Sequence, residues 1–322
     1  MNSAIVTGAC GFVGRHLVQA LLDQGIRTFG TYRTQQELDA FPQELKSATT
    51  LYHCDITNPE KIKEVISTYD YDAIFHLAGI AHVPYAERNF DEAFAVNTVG
   101  TGHILEALKS NKQCLMVYVS SSEVYGRQYQ GTVPYTESHP IEPSTLYGIT
   151  KYSAEMLCDL YFKNWGVRSI IFRPFNHIGP FQSSLFVASD FARQIAAIEK
   201  ELSEPRMSVG NLSVKRDFSD VRDVVQGYIV AAKKHLHGND VEMYNICSGK
   251  AVTIQELLDI LLSLSETPIT VDIDSAKLRK NENPILFGSY QKLNQHTGWK
   301  PSIPLRASLK DILDYWRKQV QS

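Results

Sequence analysis

The chain has 322 residues, a formal net charge of -3 and a pI of about 6.4. This balance has no basic excess of the kind that nucleic acid or an anionic membrane attracts, so neither is an expected partner. The 43% of hydrophobic residues allow one large or two smaller domains with a substantial core. The five cysteines form no Cys-x-x-Cys pair, which favours reduced thiols and a cytoplasmic location. No signal peptide and no stretch long enough to span a membrane is evident.

The chain begins with a pattern that is typical of dinucleotide binding. A short apolar run at residues 4–6 precedes Gly8, Gly11 and Gly14, and helical periodicity follows over residues 12–22. Glycines let the backbone approach a pyrophosphate and let the helix pack closely on the strand. The first helical N–H groups and the positive end of the helix dipole then face the anion. We therefore predict a dinucleotide site that includes Phe12 and Val13.

The second strand, predicted over residues 27–32, ends where an acidic residue would bind the ribose hydroxyls of NAD. This chain has Arg33 there instead, and the nearest acid is Glu37. A cation at this place favours a 2′-phosphate. NADP(H) is thus the expected cofactor and NAD(H) the alternative, while a solvated arginine is the other interpretation of Arg33.

Strands over residues 50–54 and 73–77 come next, with helices over residues 59–69 and 90–109. Small residues after the second of these strands allow a cofactor to approach the backbone closely. The cofactor contacts expected at these two strand ends are Asp55, Ile56, Leu77, Ala78 and Gly79. Asn97, in the second helix, either supports the active site or bridges buried backbone groups.

An uninterrupted apolar strand at residues 115–119 is typical of a parallel sheet that is covered on both faces. Ser121 follows its carboxyl end, where ligands bind in open α/β sheets. After a long loop, Tyr147 and Lys151 lie four residues apart and so share one helix face. The ammonium favours the phenolate, so the pair can pass a proton near neutral pH. A Tyr-x-x-x-Lys pattern also occurs by chance, and its weight depends on the cofactor site.

A sixth strand at residues 168–172 completes an alternation of strands and helices that predicts an α/β fold with a doubly wound parallel (Rossmann) sheet over residues 1–174. Beyond residue 174 the alternation weakens. Helices are predicted at 186–200, 221–234, 253–264 and 301–321, and a strand at 242–246. We expect a smaller substrate domain over residues 175–322, with segments near 212–250 as candidates to return to the first domain.

Four motifs occur in an order that resembles the extended short-chain dehydrogenase/reductases acting on nucleotide sugars. They are the glycine turn, the strand end at residues 120–126, the Tyr147/Lys151 pair and the run at residues 173–176. Later stretches at residues 175–180, 216–223, 278–279, 284–289 and 298–301 resemble the GDP-4-dehydro-6-deoxy-D-mannose reductases within that family.

This resemblance implies that NADPH reduces the C4 ketone of GDP-4-dehydro-6-deoxy-D-mannose to give GDP-D-rhamnose. Tyr147 is then expected to donate a proton to the forming alkoxide, and Ser121 to orient the ketone oxygen. Lys151 is expected to lower the tyrosine pKa and to bind the nicotinamide ribose. His177, matched to an Asn-His pair of the family, is expected at the cofactor, with a buried histidine satisfied by backbone as the alternative.

A GDP-sugar brings two phosphates, so cations should converge on it. Arg216 and Arg279 match the nucleotide-binding arginines of the family, and a planar guanidinium suits bidentate phosphate contact. Arg193 is a further candidate, although each of these arginines could instead belong to a surface ion pair. Asn176 and Ser122 complete the expected substrate contacts.

GDP-mannose 4,6-dehydratases are the main alternative, followed by other nucleotide-sugar dehydratases and epimerases. In the dehydratases a threonine, a serine and a glutamate stand at the positions of Ser121, Ser122 and Glu123, and the glutamate removes the C5 proton. Glu123 is retained here, which keeps this alternative open as a catalytic role for that residue. Against it, this chain has Phe181-Gln182 where the dehydratases have an arginine-bearing loop.

The resemblance also implies a homodimer built from the helices at residues 90–109 and 145–165. A metal is not expected, since no His/Cys/Asp/Glu cluster has metal-ligand spacing and the mechanism needs none. The third alternative is a cofactor-binding protein that has lost catalysis. The intact Ser121, Tyr147 and Lys151 argue against it.

Overall fold

In a computed structural model of the chain, residues 1–126, 134–238, 240–278 and 283–320 are described. Their strands are, in chain order, β1 (Ser3–Thr7), β2 (Arg27–Tyr32), β3 (Thr50–His53), β4 (Ala73–His76), β5 (Leu115–Val119), β6 (Ser169–Pro174), β7 (Asn176–Ile178), β8 (Arg206–Val209), β9 (Lys215–Arg216), β10 (Phe218–Asp220), β11 (Val241–Ile246), β12 (Val252–Thr253), β13 (Thr270–Ile273) and β14 (Ile285–Leu286). Their α-helices are α1 (Phe12–Asp23), α2 (Gln35–Asp39), α3 (Gln43–Ala48), α4 (Pro59–Ile66), α5 (Val83–Arg88), α6 (Phe90–Phe94), α7 (Gly100–Leu108), α8 (Leu146–Trp165), α9 (Val187–Glu199), α10 (Val221–His235), α11 (Ile254–Leu262), α12 (Gln291–Thr297) and α13 (Leu305–Gln319).

Seven of these strands form one parallel sheet in the order β11-β6-β5-β4-β1-β2-β3. The predicted doubly wound α/β sheet is confirmed. The chain reverses direction across the sheet between β1 and β4, and a crevice opens outside the carboxyl ends of strands at such a switch point. Thr7 and His76 end the two strands beside this crevice.

Helices cover both faces of the sheet because its central strands are buried on both. On one face α1 packs against α10 over a core that includes Leu17, Val224 and Tyr228. On the other, α4, α7 and α8 enclose a core that includes Ile104 and Cys158. A π-helical turn at Ala95–Val99 joins α6 to α7, so the helix predicted over residues 90–109 is continuous but carries an inserted turn.

A second layer of structure forms beyond the carboxyl ends of the large sheet. Helices α9, α11 and α13 pack with the β8–β13 pair around a separate core that includes Ile195, Leu258 and Ile312. Two small sheets, β10-β7 and β12-β9-β14, connect this layer to the large sheet. Among the described residues, every helix is too short or too polar to cross a lipid bilayer.

Candidate active site

The turn between β1 and α1 can be built only with glycine. Gly8 has φ +69°, and a Cβ there would lie 3.0 Å from the backbone N and Cα of Ala78. A Cβ on Gly14 would lie 2.1 Å from the carbonyl oxygen of Gly8. Helix α1 begins at Phe12 behind Gly11, which has no side chain to accept the first helical N–H groups. The turn therefore fits the diphosphate of a dinucleotide, as the sequence predicts.

The end of β2 presents Arg33 as its charged group. Glu37 lies in the first turn of α2, and its carboxylate accepts the N–H groups of Arg33 at 2.8 Å and Thr34 at 3.4 Å in a capping box. The guanidinium of Arg33 lies 3.8 Å from Glu92, and both side chains are about half exposed. An ion pair this exposed contributes little and is readily exchanged for a phosphate.

Asp55 and Ile56 follow β3 in the way that the sequence predicts. A carboxylate oxygen of Asp55 accepts the N–H and hydroxyl of Thr57, 2.9 and 2.8 Å away, which fixes the turn into α4. Ile56 is buried, and its carbonyl oxygen lies 3.0 Å from Nδ1 of His103 on α7. Both residues thus shape the wall beside β3, and their contact with adenine stays a prediction.

The segment after β4 is held to its neighbours by a buried histidine. His76 Nδ1 lies 2.8 Å from Thr7 Oγ1, and Nε2 lies 3.0 Å from Thr101 Oγ1. Thr101 donates its own hydroxyl proton to the carbonyl of Asn97, so Nε2 carries the imidazole proton and Nδ1 accepts from Thr7. Burial lowers the pKa of His76 to about 3, which keeps the ring neutral. Thr7 Oγ1 in turn accepts the N–H of Ala78 at 3.2 Å.

Asn97 joins the segment after β4 to α8. Its Oδ1 accepts the N–H of Ile80 at 2.8 Å, and its Nδ2 donates to the Ile80 carbonyl at 3.1 Å and to Thr150 Oγ1 at 3.0 Å. A Cβ on Gly79 would lie 3.0 Å from Asn97 Oδ1 and 3.6 Å from the Lys151 ammonium. The two roles expected for Asn97 are thus compatible, since the hydrogen bonds that bridge backbone groups also hold the segment beside Lys151.

Tyr147 and Ser121 meet at the carboxyl end of β5. Ser121 precedes a 3-10 helix at Ser122–Tyr125, and its Oγ accepts the N–H of Glu123 at 3.2 Å. Tyr147 lies in the first turn of α8, which Thr145 caps by accepting the N–H of Gly148 at 3.0 Å. The Tyr147 hydroxyl hydrogen-bonds with Ser121, and its side chain is buried.

Lys151 lies one helical turn further along α8 and is also buried. Its ammonium donates to the carbonyl of Val119 at 2.7 Å and lies 5.0 Å from the ring centre of Tyr118. Burial lowers the pKa of Lys151 to about 8, although the carboxylate of Glu155 opposes this shift. The lysine is thus mostly charged at neutral pH and can lose its proton in the alkaline range.

The expected net lowering of the Tyr147 pKa by Lys151 is not found, because burial outweighs it. Burial raises the pKa of Tyr147 to about 12, and the carboxylate of Glu123 acts in the same direction against the hydrogen bond with Ser121. The ammonium is bound to the Val119 carbonyl, and burial dominates. Tyr147 is therefore a protonated phenol at neutral pH rather than a phenolate.

A buried polar network below this pair was not predicted. Ser120 Oγ donates to Glu155 at 2.5 Å, and Glu155 forms two hydrogen bonds with Arg173, of 2.6 and 3.1 Å. Arg173 also donates to the Tyr125 hydroxyl at 3.3 Å. The spacing of Glu155, one turn after Lys151 on the same helix face, is the signal that could have indicated it.

His177 lies against the glycine turn. Its ring stacks on Phe12 with 5.9 Å between ring centres, and its Nδ1 lies 3.2 Å from the Phe175 carbonyl. Burial lowers its pKa, so the ring is neutral. The two interpretations of His177 are thus compatible. Its ring is close to a backbone carbonyl, and it lies beside the predicted cofactor turn. Asn176, its neighbour in β7, is exposed.

The predicted substrate cations lie on separate elements. Arg193, on α9, forms an ion pair with Asp190 at 3.2 Å, the alternative that the sequence left open. Arg216, in β9, donates to the Lys215 and Asn283 carbonyls at 2.8 Å each. Ser122 is buried at the start of the 3-10 helix. Arg279 lies outside the described residues. The substrate roles of these residues stay predictions.

Within the described part of the chain, His235, Glu242 and His296 form the one group with possible metal ligands close together. The Tyr244 hydroxyl lies 2.6 Å from His235 Nε2 and 2.7 Å from His296 Nδ1, and the Lys292 ammonium contacts Glu242. These contacts make it a hydrogen-bonded cluster at the start of β11. It lies at the opposite end of the sheet from Tyr147.

Comparison with known proteins identifies the family. A model of the family described as GDP-mannose 4,6 dehydratase matches residues 5–312. The chain belongs to the GDP-mannose 4,6-dehydratase family. This confirms the predicted membership of the extended short-chain dehydrogenase/reductases and the predicted class, NAD(P)-dependent nucleotide-sugar oxidoreductases.

The relatives of this chain within the family are named for different activities. The chain is 35% identical to a GDP-6-deoxy-D-mannose reductase of Pseudomonas aeruginosa over 98% of its own length and 97% of the relative's. It is 24% identical to a GDP-mannose 4,6-dehydratase of Yersinia enterocolitica, with 97% and 93% covered. Among solved structures, RMD from Pseudomonas aeruginosa complexed with NADPH matches with a TM-score of 0.84 and 33% identity, over 99% of this chain and all of that one.

Proposed function

We propose that the protein reduces the C4 ketone of GDP-4-dehydro-6-deoxy-D-mannose to GDP-D-rhamnose with NADPH. The similarity to a GDP-6-deoxy-D-mannose reductase along nearly the whole of both chains carries this proposal. The pairing of Tyr147 with Ser121 supports it, because a ketone oxygen beside both hydroxyls would receive a hydrogen bond and then a proton.

The residues at the crevice fit NADPH, which supplies a hydride when bound. Gly8, Gly11 and the start of α1 would hold its diphosphate, and Arg33 its 2′-phosphate. Arg33 favours NADP(H), and NAD(H) is the alternative because relatives of similar fold carry it. Lys151, next to Gly79, would contact the nicotinamide ribose.

Tyr147 acts as the general acid in the proposed reaction. Its raised pKa keeps the proton on the phenol at neutral pH, and a sugar alkoxide is more basic than the phenolate, so the transfer is favourable. Ser121 orients the ketone oxygen. The charge of Lys151 stabilises the phenolate that remains, which then regains a proton from solvent.

Dehydration of GDP-mannose is the second candidate, and the position of Glu123 favours it. The carboxylate of Glu123 acts on the pKa of Tyr147 and is therefore near the site, as a base for the C5 proton would need to be. In the reductase this carboxylate would instead contact substrate hydroxyls.

Two incubations separate the candidates. The protein is mixed with GDP-mannose alone, and separately with GDP-4-dehydro-6-deoxy-D-mannose and NADPH. Stoichiometric NADPH oxidation with the keto sugar, and no conversion of GDP-mannose, is the expected result. Conversion of GDP-mannose without net NADPH use would replace the reductase by the dehydratase. Tight NADPH binding without oxidation by any nucleotide-sugar ketone would indicate a protein that has lost catalysis.

The organisation we propose has two functional parts. Residues 1–174, together with β11, bind the dinucleotide, and residues 175–322 mainly bind the nucleotide sugar through Asn176, Arg193, Arg216 and Arg279. We also propose a homodimer through α7 and α8, and a cytoplasmic location, since the five cysteines are buried and unpaired.

A further inference from the structure

Phe181 has a backbone conformation that disfavours its own side chain. Its φ is +72°, and Glu201 (φ +58°) is the other non-glycine residue with positive φ in the described part of the chain. Side chains other than glycine are strained in this region, and such strain persists where the surroundings enforce it. Glycine would suit this position better, so the phenyl ring itself must make a compensating contact.

The compensating contact is with Arg15 of α1. The guanidinium carbon lies 4.5 Å from the ring centre of Phe181, within the range of a cation–π contact. The ring also lies near Tyr315 of α13 and His16 of α1, with 4.9 and 5.9 Å between ring centres. Phe181 remains 39% exposed, so burial alone does not explain a phenylalanine here.

Arg15 donates hydrogen bonds to two backbone carbonyl groups of the glycine turn. Its Nη2 donates to the Cys10 carbonyl at 2.9 Å, and its Nε to the Gly11 carbonyl at 3.4 Å. Because the peptide unit is planar, fixing a carbonyl also fixes the direction of the N–H that follows it. Of these N–H groups, that of Gly11 donates to the Gly8 carbonyl at 3.0 Å and closes the turn, and that of Phe12 begins the predicted diphosphate cradle.

The loop that contains Phe181 is docked on one face of α1. Phe12, Arg15 and His16 are spaced three and four residues apart and share that face. Phe12 stacks on His177, and His16 Nε2 lies 3.1 Å from the Pro180 carbonyl. Burial lowers the pKa of His16, so this contact does not depend on a charged imidazole near neutral pH.

We propose that Phe181 is a positioning residue for the dinucleotide, because its ring holds Arg15 against the carbonyl oxygens of the glycine turn. The proposal rests on the proposed function in that NADPH is the ligand of the turn. The ring acts through Arg15 and does not itself touch the cofactor. A turn that is fixed before binding loses less freedom on binding, and affinity rises accordingly.

NADPH binding by the full chain tests this without turnover. The dissociation constant is measured by the fluorescence of the reduced nicotinamide and by calorimetry, and the melting temperature is measured in parallel. Phe181→Gly removes the ring and relieves the backbone strain. Glu201→Gly is the matched control, since it relieves the same kind of strain on an exposed residue away from the turn. Phe181→Tyr keeps the ring.

We expect Phe181→Gly to melt at or above the temperature of the parent and to bind NADPH roughly fivefold more weakly, the factor of one partly exposed cation–π contact. Glu201→Gly should also melt no lower, with unchanged affinity, and Phe181→Tyr should bind like the parent. In the double variant with Arg15→Met, the loss should not exceed that of Arg15→Met alone, because both changes remove one contact.

Two results would overturn the proposal while leaving the proposed function intact. One is an affinity of Phe181→Gly within about twofold of the parent, a change too small for a cation–π contact. The other is a parallel loss of melting temperature and affinity in Phe181→Gly, which would make the ring a general stabiliser. A parent chain that does not bind NADPH would instead reject the proposed function, and the proposal with it.

Discussion

Tyr147 and Lys151 were predicted as a pair, and their shared helix face is what the sequence spacing requires. Their electrostatics could not be read from the spacing, because the pKa of each side chain depends on burial and on neighbours distant in the chain. Burial raises the pKa of Tyr147 to about 12 and lowers that of Lys151 to about 8. Each group is thus in the form that a reductase needs at neutral pH, a protonated acid beside a cation.

The rate of ketone reduction should therefore fall as the pH rises through about 8. Lys151 loses its charge in that range, and a neutral amine no longer stabilises the phenolate of Tyr147. Tyr147 remains protonated up to about pH 12 and does not limit the rate there. The measurement is kcat against pH at saturating substrates. In Lys151→Met the fall of kcat above about pH 8 should vanish, and kcat should drop by about 10²-fold or more. If kcat of that variant still falls above about pH 8, Lys151 is not the source of the pH dependence.

Glu155 and Arg173 show what residue-level reasoning missed. Both side chains are 3% exposed and paired by two hydrogen bonds, and Ser120 bonds to the same carboxylate. Glu155 and Arg173 also lie beside Lys151 and Tyr125, so this pair supports the floor of the site. Its recognition requires β5, β6 and α8 to be placed side by side, which no local pattern reports.

Glu155→Gln should lower the free energy of unfolding by about 3–5 kcal/mol, because it leaves the buried charge of Arg173 without its partner. Chemical denaturation of parent and variant at neutral pH measures this. Glu64→Gln is the matched control, since both partners of its ion pair with Lys61 are exposed, and it should change stability by less than about 1 kcal/mol. Equal losses in the free energy of unfolding for the two substitutions would show that the buried pair contributes no more to stability than the exposed one.

Among the elements, the long ones follow from the sequence and the short ones do not. Strands β2 and β5 have the bounds that were predicted, because each is a continuous β-prone or apolar run between turns. Strand β9 has two residues and pairs with β12 and β14, which lie far along the chain. A two-residue strand carries no periodic signal, so its existence depends on tertiary contacts alone.

His76 of β4 contacts Thr7 of β1 and Thr101 of α7. Because its side chain is buried, the stability of the protein should depend on pH. The folded-state pKa of about 3 lies below the usual 6.5. A histidine whose pKa is depressed on folding binds fewer protons in the native state, so stability falls as the pH drops below about 6.5. At pH 5 this residue alone should reduce stability by about 2 kcal/mol relative to pH 7.

Denaturation of the parent and of His76→Asn at pH 7 and pH 5 tests this sign. The variant should be less stable at pH 7, since the contacts with Thr7 and Thr101 are disturbed, but it should lose less stability on acidification. His103→Asn, at a half-buried position on α7, serves as the control for the replacement of a histidine outside this junction. An unchanged pH dependence in His76→Asn would contradict the assignment.

For the whole molecule, α8 presents two faces with different tasks. Tyr147, Lys151 and Glu155 recur every four residues and point to the sheet, where all three are buried. Ile149, Met156 and Leu160 lie on the outer side, and 41%, 52% and 45% of each is exposed. Val99, which is 49% exposed, lies in the π-helical turn that packs against α8, and exposed apolar residues grouped on packed elements are typical of an interface.

Met156→Asp should convert the proposed homodimer to monomers of 36.3 kDa, because a charge would be buried between the paired helices. Sedimentation velocity of the parent should give twice that mass, and Leu202→Asp, at an exposed leucine after α9, should leave the dimer unchanged. Since the buried face of the same helix carries Tyr147 and Lys151, loss of the partner should also lower the melting temperature and kcat together. A parent that sediments as a monomer at micromolar concentration would remove the dimer, and the apolar face of α8 would then need another partner.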